Sequence, residues 1–351
     1  MPLRRIAAAL VVSLVVLVGP RPAAQSVFQG LTFSLFERYV DSLRVQAAIP
    51  GISALIIRDG AIVWERGFGR ADIERGVDAT PLTPYQIGSL SQVMGASLLL
   101  KDCVEKRFAS VDDAIGLWTR SAPEPTATFA QLLGHVTPTG GYKFDLARFA
   151  AVTPAVEACS GMPYEQTVAE EIFSRLSLFD SVPGTTFVTQ TFDDVNMFGT
   201  NVVRYTATLA RAAKGYRVDV RGRATRTDYP PARGNAATGI VSTVRDLARF
   251  DAGLRYNILI SADTQARAWA PVGPGFPTGL GWFVQSYNGL PVVWQFGSVP
   301  DAYSSLMLKL PTRGLTLILL ANSDGLGPAV LEKGDVTASV FARTFLRVFV
   351  P

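Results

Sequence analysis

Histidine and cysteine are almost missing from this chain of 351 residues, which contains one histidine and two cysteines. A metal site built on several imidazoles would need more than His135, so we expect neither a metal nor a cofactor. The two thiols, Cys103 and Cys159, allow one disulfide at most. An oxidising compartment would permit that bridge, while burial of each thiol as a small apolar side chain is the alternative.

A strong charge of one sign is also missing. Lysine and arginine number 33 against 29 aspartates and glutamates, for a net charge of +4 at pH 7. Arg4, Arg5 and Arg21 precede residue 25, and removing these three from +4 leaves +1 for the rest of the chain. A chain with so little net charge is not expected to bind nucleic acid.

Long uncharged apolar runs are missing outside the N-terminus. There, two arginines precede an apolar run from Ile6 to Val18, and the small residues Ala23 and Ala24 follow. This order is typical of a secretory signal peptide, so residues 1–24 are predicted to be removed on export. The run is shorter than the about 20 apolar residues that span a bilayer, so no transmembrane segment is expected in the mature chain. We expect residues 25–351 to form a soluble periplasmic or secreted protein.

Strand-like segments occupy both ends of the mature chain, and helix-like segments occupy the middle. Apolar and alternating patterns predict strands at 51–58, 61–67, 289–295, 303–310 and 315–321. Helical periodicity predicts helices at 31–46, across 89–178, and at 243–254, 262–269 and 335–348. We therefore predict an α/β (α+β) fold with an antiparallel sheet flanked by helices and an inserted, mainly helical lobe. The sheet lobe would comprise about residues 27–80 and 236–351, and the helical lobe about 81–235.

Four arginines lie close together in the segment 185–235, whose pattern predicts an irregular excursion with a hairpin. They are Arg217, Arg221, Arg223 and Arg226. A solvated surface is one interpretation of this cluster. The other is a lip of a binding cleft that favours an anionic ligand.

No serine or threonine in the chain is followed by lysine three residues later. At that spacing, Ser89 is followed by Gln92. One helical turn would place both side chains on one face, within reach for proton transfer. A carboxamide has no usable basicity near neutral pH, so Gln92 does not serve as the base that a serine nucleophile requires.

Several short segments follow one another in a characteristic order. They are Pro50-Gly51-Ile52, Ile87-Gly88-Ser89, Leu132-Leu133-Gly134-His135, Ser160-Gly161-Met162-Pro163-Tyr164, Gly239-Ile240-Val241-Ser242-Thr243 and Ala321-Asn322-Ser323-Asp324-Gly325. This series resembles the class C β-lactamase-related and penicillin-binding-protein-like serine hydrolases, from about residue 49 to 325. The resemblance implies a β-lactamase/penicillin-binding-protein-like fold with a cleft where the two lobes meet.

The chemistry of that family uses a Ser-x-x-Lys motif, a Tyr-x-Asn loop and a Lys- or His-x-Gly strand. By resemblance these motifs fall on residues 89–92, 144–146 and 295–297, where glutamine, phenylalanine, leucine and glutamine replace the lysine, the tyrosine, the asparagine and the ionisable strand residue. The resemblance assigns the oxyanion hole to the backbone N–H groups of Ser89 and Ser298. The cleft would be lined by Ser89, Gln92, Phe144, Leu146, Gln295, Gly297 and Ser298.

Other groups remain candidates for the missing base. Tyr142 or Lys143 would approach Ser89 after a two-residue shift of the loop, although exposed loop positions are ordinary for such residues. Asp145 either points into the cleft or caps the helix that follows it. His135 either supports its neighbours through hydrogen bonds or acts as a base. Ser89 itself could be a helix-start serine without a chemical role.

We expect an exported serine-hydrolase homologue, a pseudoenzyme that binds a peptide-, ester- or lactam-like ligand with weak or no hydrolysis. The alternative is an active hydrolase of the esterase, D-Ala peptidase or β-lactamase type, with Ser89 as the acyl nucleophile and an unconventional base. A third hypothesis is a structural or partner-binding role in which the cleft stays empty.

Overall fold

The strands of the main sheet come from both ends of the chain. The computed structural model describes residues 23–120, 122–189 and 191–350. Its strands are β1 (Gly51–Arg58), β2 (Ala61–Asp72), β3 (Val77–Asp78), β4 (Tyr85–Gln86), β5 (Gly215–Val218), β6 (Ala224–Thr227), β7 (Val241–Ser242), β8 (Phe283–Tyr287), β9 (Leu290–Val299), β10 (Tyr303–Leu310) and β11 (Leu315–Ala321). Seven of them form one antiparallel sheet in the order β3-β2-β1-β11-β10-β9-β8. The pairs β4–β7 and β5–β6 form two small additional sheets.

The helices flank this sheet and fill the middle of the chain. They are α1 (Ala23–Gln46), α2 (Gln92–Leu98), α3 (Phe129–Leu133), α4 (Leu146–Ala150), α5 (Thr153–Ser160), α6 (Tyr164–Val168), α7 (Phe192–Phe198), α8 (Asn201–Ala210), α9 (Val244–Arg255), α10 (Ala262–Ala268), α11 (Pro328–Leu331) and α12 (Val340–Phe349). A 3-10 turn, Gly88–Ser91, precedes α2, and two π-helical segments, Leu99–Glu105 and Ala169–Ser174, extend α2 and α6.

The central strands are covered on both faces. Every residue of β10 and β11 is buried, which accounts for the almost wholly apolar sequence of β11. One face of the sheet packs against α1 and α12, where the rings of Phe36 and Phe345 meet with centroids 5.8 Å apart. The other face packs against the middle of the chain, including Leu90 and Val93. Side chains of alternate residues therefore enter two different cores.

The strand predictions agree with the structure in five places, while β8 and the two-residue strands β3, β4 and β7 were not predicted. β10 and β11 begin and end at the predicted residues, while β2 and β9 run longer than predicted. β8 was missed, although Asn288 and Gly289 form the turn that joins it to β9, with φ values of 48° and 75°. Asn-Gly is a strong signal for a two-residue hairpin, so this strand was recognisable from the sequence.

The segment 185–235 is more regular than predicted. Its hairpin is present as β5 and β6, but the helices α7 and α8 precede it. Thr191 begins α7 with a capping box, because its hydroxyl accepts from the Asp194 N–H while the Asp194 carboxylate accepts from the Thr191 N–H. This Thr-x-x-Asp spacing is a helix-start signal that the prediction did not use.

The two cysteines form a disulfide, which the sequence left open. Cys103 lies in the π-helical segment after α2 and Cys159 lies in α5, with their Cα atoms 5.4 Å apart. The bridge therefore ties the helix that follows Ser89 to its neighbour.

The predicted signal peptide falls mostly outside the described residues, which begin at residue 23 within α1. Its removal remains a prediction, as do the boundaries of the two lobes. No helix in residues 23–120, 122–189 and 191–350 has both the length and the apolar character needed to span a bilayer.

Candidate functional site

Ser89 lies in the 3-10 turn before α2, and this turn packs directly against β9. Gly88 has a φ of 55°, and a Cβ atom there would stand 2.4 Å from the Ser298 carbonyl oxygen. A Cβ on Gly297 would stand 1.8 Å from the carbonyl oxygen of Ile87. Only glycine fits such an approach of two backbones. Ser89 is fully buried, and its hydroxyl donates to the Phe296 carbonyl oxygen at 3.2 Å.

Gln92 and Gln295 form a direct hydrogen bond beneath this turn. Gln295 Oε1 accepts from the Phe296 N–H at 2.9 Å, and Gln295 Nε2 donates to the Gly281 carbonyl oxygen at 3.2 Å. These two backbone partners determine which end of the amide carries the nitrogen. Gln295 Nε2 therefore donates to Gln92 Oε1, at 3.1 Å. Two of the motif positions thus bind each other.

His135 completes this network in its neutral form. Its Nδ1 accepts from the Asp145 N–H at 3.2 Å, so the ring proton lies on Nε2, which donates to Gln92 Oε1 at 3.1 Å. Burial, together with the smaller effect of the Arg148 charge, lowers the pKa of His135 from 6.5 to about 3. Both ring nitrogens are occupied, which supports the interpretation of His135 as a supporting residue.

Aromatic rings fill the space beside this network. The ring centroid of Phe144 lies 4.5 Å from that of His135 and 5.0 Å from that of Phe296. Phe283 stands behind them, 6.2 Å from Phe144. Phenylalanine has no hydroxyl with which to relay a proton, so the position assigned to the family's tyrosine contributes apolar packing.

The loop residues proposed as substitute bases have other partners. The Tyr142 hydroxyl donates to the Glu332 carbonyl oxygen at 2.6 Å, and Lys143 is an exposed partner of Asp145 at 3.0 Å. Asp145 caps α4, because its carboxylate accepts from the N–H groups of Ala147 and Arg148. Among the described residues, no ionisable side chain is hydrogen-bonded to the Ser89 hydroxyl.

The remaining predicted cleft residues lie around the same turn and loop. Leu146 begins α4 and packs at the edge of the helical core. Ser298 is half-buried at the end of β9, opposite Ser304. The oxyanion hole assigned to the backbone N–H groups of Ser89 and Ser298 remains a prediction. A ligand would require the turn and the Phe144 ring to separate from β9, since Ser89, Gln92 and Gln295 are buried.

The arginine cluster lies on the hairpin β5–β6 and is exposed. Arg223 pairs with Asp219 at 2.7 Å, and Arg226 pairs with Asp228 at 3.0 Å. These exposed pairs favour the solvated-surface interpretation. Tyr229, just after the hairpin, is half-exposed and packs beside Pro300 near the end of β9.

Sequence reasoning missed two aromatic residues and one contact of the candidate site. Phe283 lies on the unpredicted strand β8, and Phe296 was regarded only as the middle residue of a motif. The contact between His135 and Gln92 joins residues 43 positions apart. Alternation along β9 would have shown that Gln295 and Phe296 face opposite sides of the sheet, but no local pattern reveals which side chains meet them.

A family model and curated proteins from two bacteria match this chain. A family model described as Beta-lactamase matches residues 36–340. Protein flp of Staphylococcus aureus (strain MW2) is 31% identical over 111 residues, which is 30% of this chain and 22% of that protein. The putative penicillin-binding protein PbpX of Bacillus subtilis (strain 168) is 23% identical over 263 residues, or 66% of this chain and 61% of PbpX. The chain thus spans less than two thirds of the length of both relatives.

A solved structure confirms the predicted architecture. The octameric penicillin-binding protein homologue from Pyrococcus abyssi superimposes with a TM-score of 0.69 at 20% identity, over 87% of this chain and 76% of that one. At this identity the likeness concerns the fold alone. The fold is of the β-lactamase/penicillin-binding-protein-like type.

Proposed function

Because this chain belongs to the Beta-lactamase family of serine hydrolases, we propose that it binds a peptide-, ester- or lactam-like ligand with weak or no hydrolysis. The proposal includes export to the periplasm or beyond. It rests on one observation, which is the neutral network that joins Gln92, His135 and Gln295.

Within the described residues, the network places no base beside the Ser89 hydroxyl, which donates to a backbone carbonyl oxygen. A serine attacks a carbonyl carbon only when a neighbouring base removes its proton. Gln92 has an amide in place of the base, and the lone pair of His135 Nδ1 is occupied by the Asp145 N–H. Residues that act as one catalytic unit fail together. We therefore expect most of the rate of hydrolysis to be lost with the base, the tyrosine and the strand cation. Backbone oxyanion donors alone would leave weak turnover.

Labelling of Ser89 tests this proposal. The protein is incubated with a fluorophosphonate and, separately, with a fluorescent penicillin, and the adduct is located by mass spectrometry of peptides. We expect slow, substoichiometric labelling. Ser91→Ala is the matched control, because Ser91 is also buried and its hydroxyl donates to the Gly88 carbonyl oxygen at 2.8 Å. Rapid stoichiometric labelling that disappears in Ser89→Ala alone would establish an active hydrolase instead.

Two variants separate a missing base from a closed cleft. Phe144→Ala removes the ring that packs on Phe296 but supplies no base, so it should leave labelling slow. Gln92→Lys combined with Phe144→Tyr supplies both proton-transfer groups and should accelerate labelling by at least about 100-fold, the usual contribution of general base catalysis. Fast labelling of Phe144→Ala by itself would show that access, and not the missing base, limits Ser89.

Export is tested by expressing the full chain with its own N-terminus. We expect the periplasmic or secreted product to begin near residue 25 by N-terminal sequencing. Retention of an uncleaved chain in the cytoplasm would contradict this part of the proposal.

A further inference from the structure

A cavity lies at the opposite end of β10 from the Ser89 turn. Ser305 on β10 donates to the carbonyl oxygen of Ile87 at 2.8 Å, next to the Ser89 turn. Lys309 lies four residues further along the same strand, roughly 13 Å away at 3.3 Å per residue. Around Lys309, the strands β10 and β11 and the helices α9 and α10 enclose a volume of about 400 Å³, here called the Lys309 cavity.

A buried ion pair forms the inner wall of the Lys309 cavity. Lys309 is 5% exposed and its ammonium contacts the carboxylate of Asp251, which is 2% exposed. Thr316, the cross-strand partner of Lys309, donates to the same carboxylate oxygen at 3.0 Å. Apolar residues of similar volume would serve stability at least as well as a buried ion pair. Stability alone therefore gives no reason for charges at this position.

Hydrogen-bonding capacity remains unused on the cavity wall. The Lys309 ammonium has three N–H groups, and within the described chain Asp251 is its one hydrogen-bond partner. Gln265 also lines the cavity, and within the described residues its Oε1 is buried without a partner. Buried polar atoms are normally paired with protein, water or ligand. The Lys309 ammonium and Gln265 Oε1 can therefore each form a further hydrogen bond, the first as a donor and the second as an acceptor.

Charge and shape indicate the kind of molecule that would supply this partner. The wall carries two cations, Lys309 and Arg255, against the single anion Asp251, which gives a net charge of +1. Asp59 meets Arg255 at 3.2 Å from outside the cavity, but both are exposed and such pairs are weak in water. The Trp269 ring, with its centroid 5.5 Å from the Lys309 nitrogen, adds a flat apolar surface.

We propose that the Lys309 cavity binds a small organic monoanion that is distinct from the ligand at Ser89. Its carboxylate would meet Lys309 and Arg255, a hydroxyl or amino group would donate to Gln265 Oε1, and its flat apolar part would lie against Trp269. The volume of the cavity falls in the range of about 300–1,000 Å³ typical of small-molecule sites.

Calorimetric titration of the full chain tests this proposal, with 4-aminobenzoate and 4-hydroxybenzoate as probes and aniline as the probe that lacks the carboxylate. We expect saturable one-to-one binding of both acids and none of aniline. The ¹⁵N-labelled indole N–H signal of Trp269, assigned with Trp269→Phe, should shift during the titration.

Matched variants locate the binding site. Arg255→Ala and Gln265→Leu should each weaken binding by about tenfold, since each removes one hydrogen bond to the probe. Arg249→Ala should leave it unchanged, because Arg249 is an exposed arginine of the same helix that pairs with Asp246 outside the cavity. Ser89→Ala should also leave it unchanged.

Three outcomes would overturn the proposal. They are an absence of saturation up to about 10 mM probe, equal affinities in Arg255→Ala, Gln265→Leu and wild type, and loss of binding in Ser89→Ala. The last would place the probe at the Ser89 site, so it also distinguishes failure here from failure of the proposed function. Lys309→Met with Asp251→Leu removes both charges together and should abolish binding while preserving the fold.

Discussion

The two ends of β9 and β10 bury polar side chains in opposite ways. At the Ser89 end, the polar groups are neutral and bind one another, and the ring of His135 packs against Phe144. At the Lys309 end, Lys309 and Asp251 form a buried ion pair beside a volume of about 400 Å³. Removing one member of a buried ion pair leaves an uncompensated charge, whereas the neutral network contains no charge to leave behind.

Each end also contains a buried polar atom that lacks a hydrogen-bond partner within the described residues. Within the described residues, Gln92 Nε2 is a buried donor without a partner, although Gln92 Oε1 accepts twice. At the other end it is the acceptor Gln265 Oε1 that lacks a partner. Both ends thus contain polar groups with unused hydrogen-bonding capacity, and at the Lys309 end these groups belong to residues that line a cavity.

The largest expected effect comes from breaking the charged pair. Lys309→Ala leaves Asp251 as an unpaired buried charge and should lower the free energy of unfolding by about 3–5 kcal/mol. The double variant Lys309→Met with Asp251→Leu should lose less than half of that. Lys143→Ala is the control, since Lys143 is an exposed partner of Asp145 and should cost about 1 kcal/mol or less. Urea denaturation measures all three, and equal losses in the single and double variants would contradict the charged interpretation.

The next effect is the dependence of stability on pH at the Ser89 end. The pKa of His135 is about 3 in the folded protein and near 6.5 in the unfolded chain, which therefore binds the proton first as the pH falls. The stability from neutral His135 is fully present above about pH 6.5 and is lost as the pH falls towards 3. Between about pH 7 and 4.5 this loss should reach about 2–3 kcal/mol.

His135→Asn isolates this contribution. Asparagine tolerates the left-handed backbone of residue 135, where φ is 55°, and does not titrate. Carboxylates titrate in both proteins, so the difference between their pH slopes belongs to His135. Identical slopes in urea unfolding would show that folding does not lower the pKa of His135.

A smaller effect is expected from removing the neutral amide. Gln92→Leu leaves His135 Nε2 and Gln295 Nε2 without their shared acceptor and should cost about 2 kcal/mol. Gln46→Leu, at an exposed glutamine bonded only to Ser42, should stay within about 0.5 kcal/mol of wild type. A gain in stability for Gln92→Leu would mean that its unpartnered nitrogen outweighs the network.

The smallest effect is expected at the exposed arginines, which belong to neither end. Arg217→Glu with Arg221→Glu should change the free energy of unfolding by less than about 0.5 kcal/mol, because both side chains are solvated. Binding of 4-aminobenzoate at the Lys309 cavity should be unaltered. A clear loss of affinity for an anionic ligand of the Ser89 cleft would instead restore the lip interpretation of this hairpin.

Much of the fold was predictable because its signals are local. β11 is an almost wholly apolar run and β10 a mostly apolar one, and the turn residues on either side predict their limits. Of the two interpretations of Asp145, the structure shows the helix cap, which was visible in the sequence because capping involves only the next three residues. The missed helices α7 and α8 and the missed strand β8 also carried local signals, in Thr191 and in Asn288-Gly289, that were not used.

The candidate site was predictable only in its chemistry. The replacements at residues 92, 144 and 295 are visible in the chain, so the loss of acid–base groups needed no coordinates. The partners were not visible, because Gln92 and Gln295 are 203 positions apart and meet only through the sheet. The disulfide between Cys103 and Cys159 likewise depended on the packing of two helices.

The sequence by itself determined the strands, the helix caps and the absence of a lysine three residues after Ser89. These are properties of single residues or of neighbours, which a linear pattern contains. The tertiary structure alone decided that His135 is neutral, that Phe144 packs against His135 and Phe296, and that Lys309 faces a cavity. Burial and protonation depend on groups brought together from distant parts of the chain, and the spacing of residues does not encode these contacts.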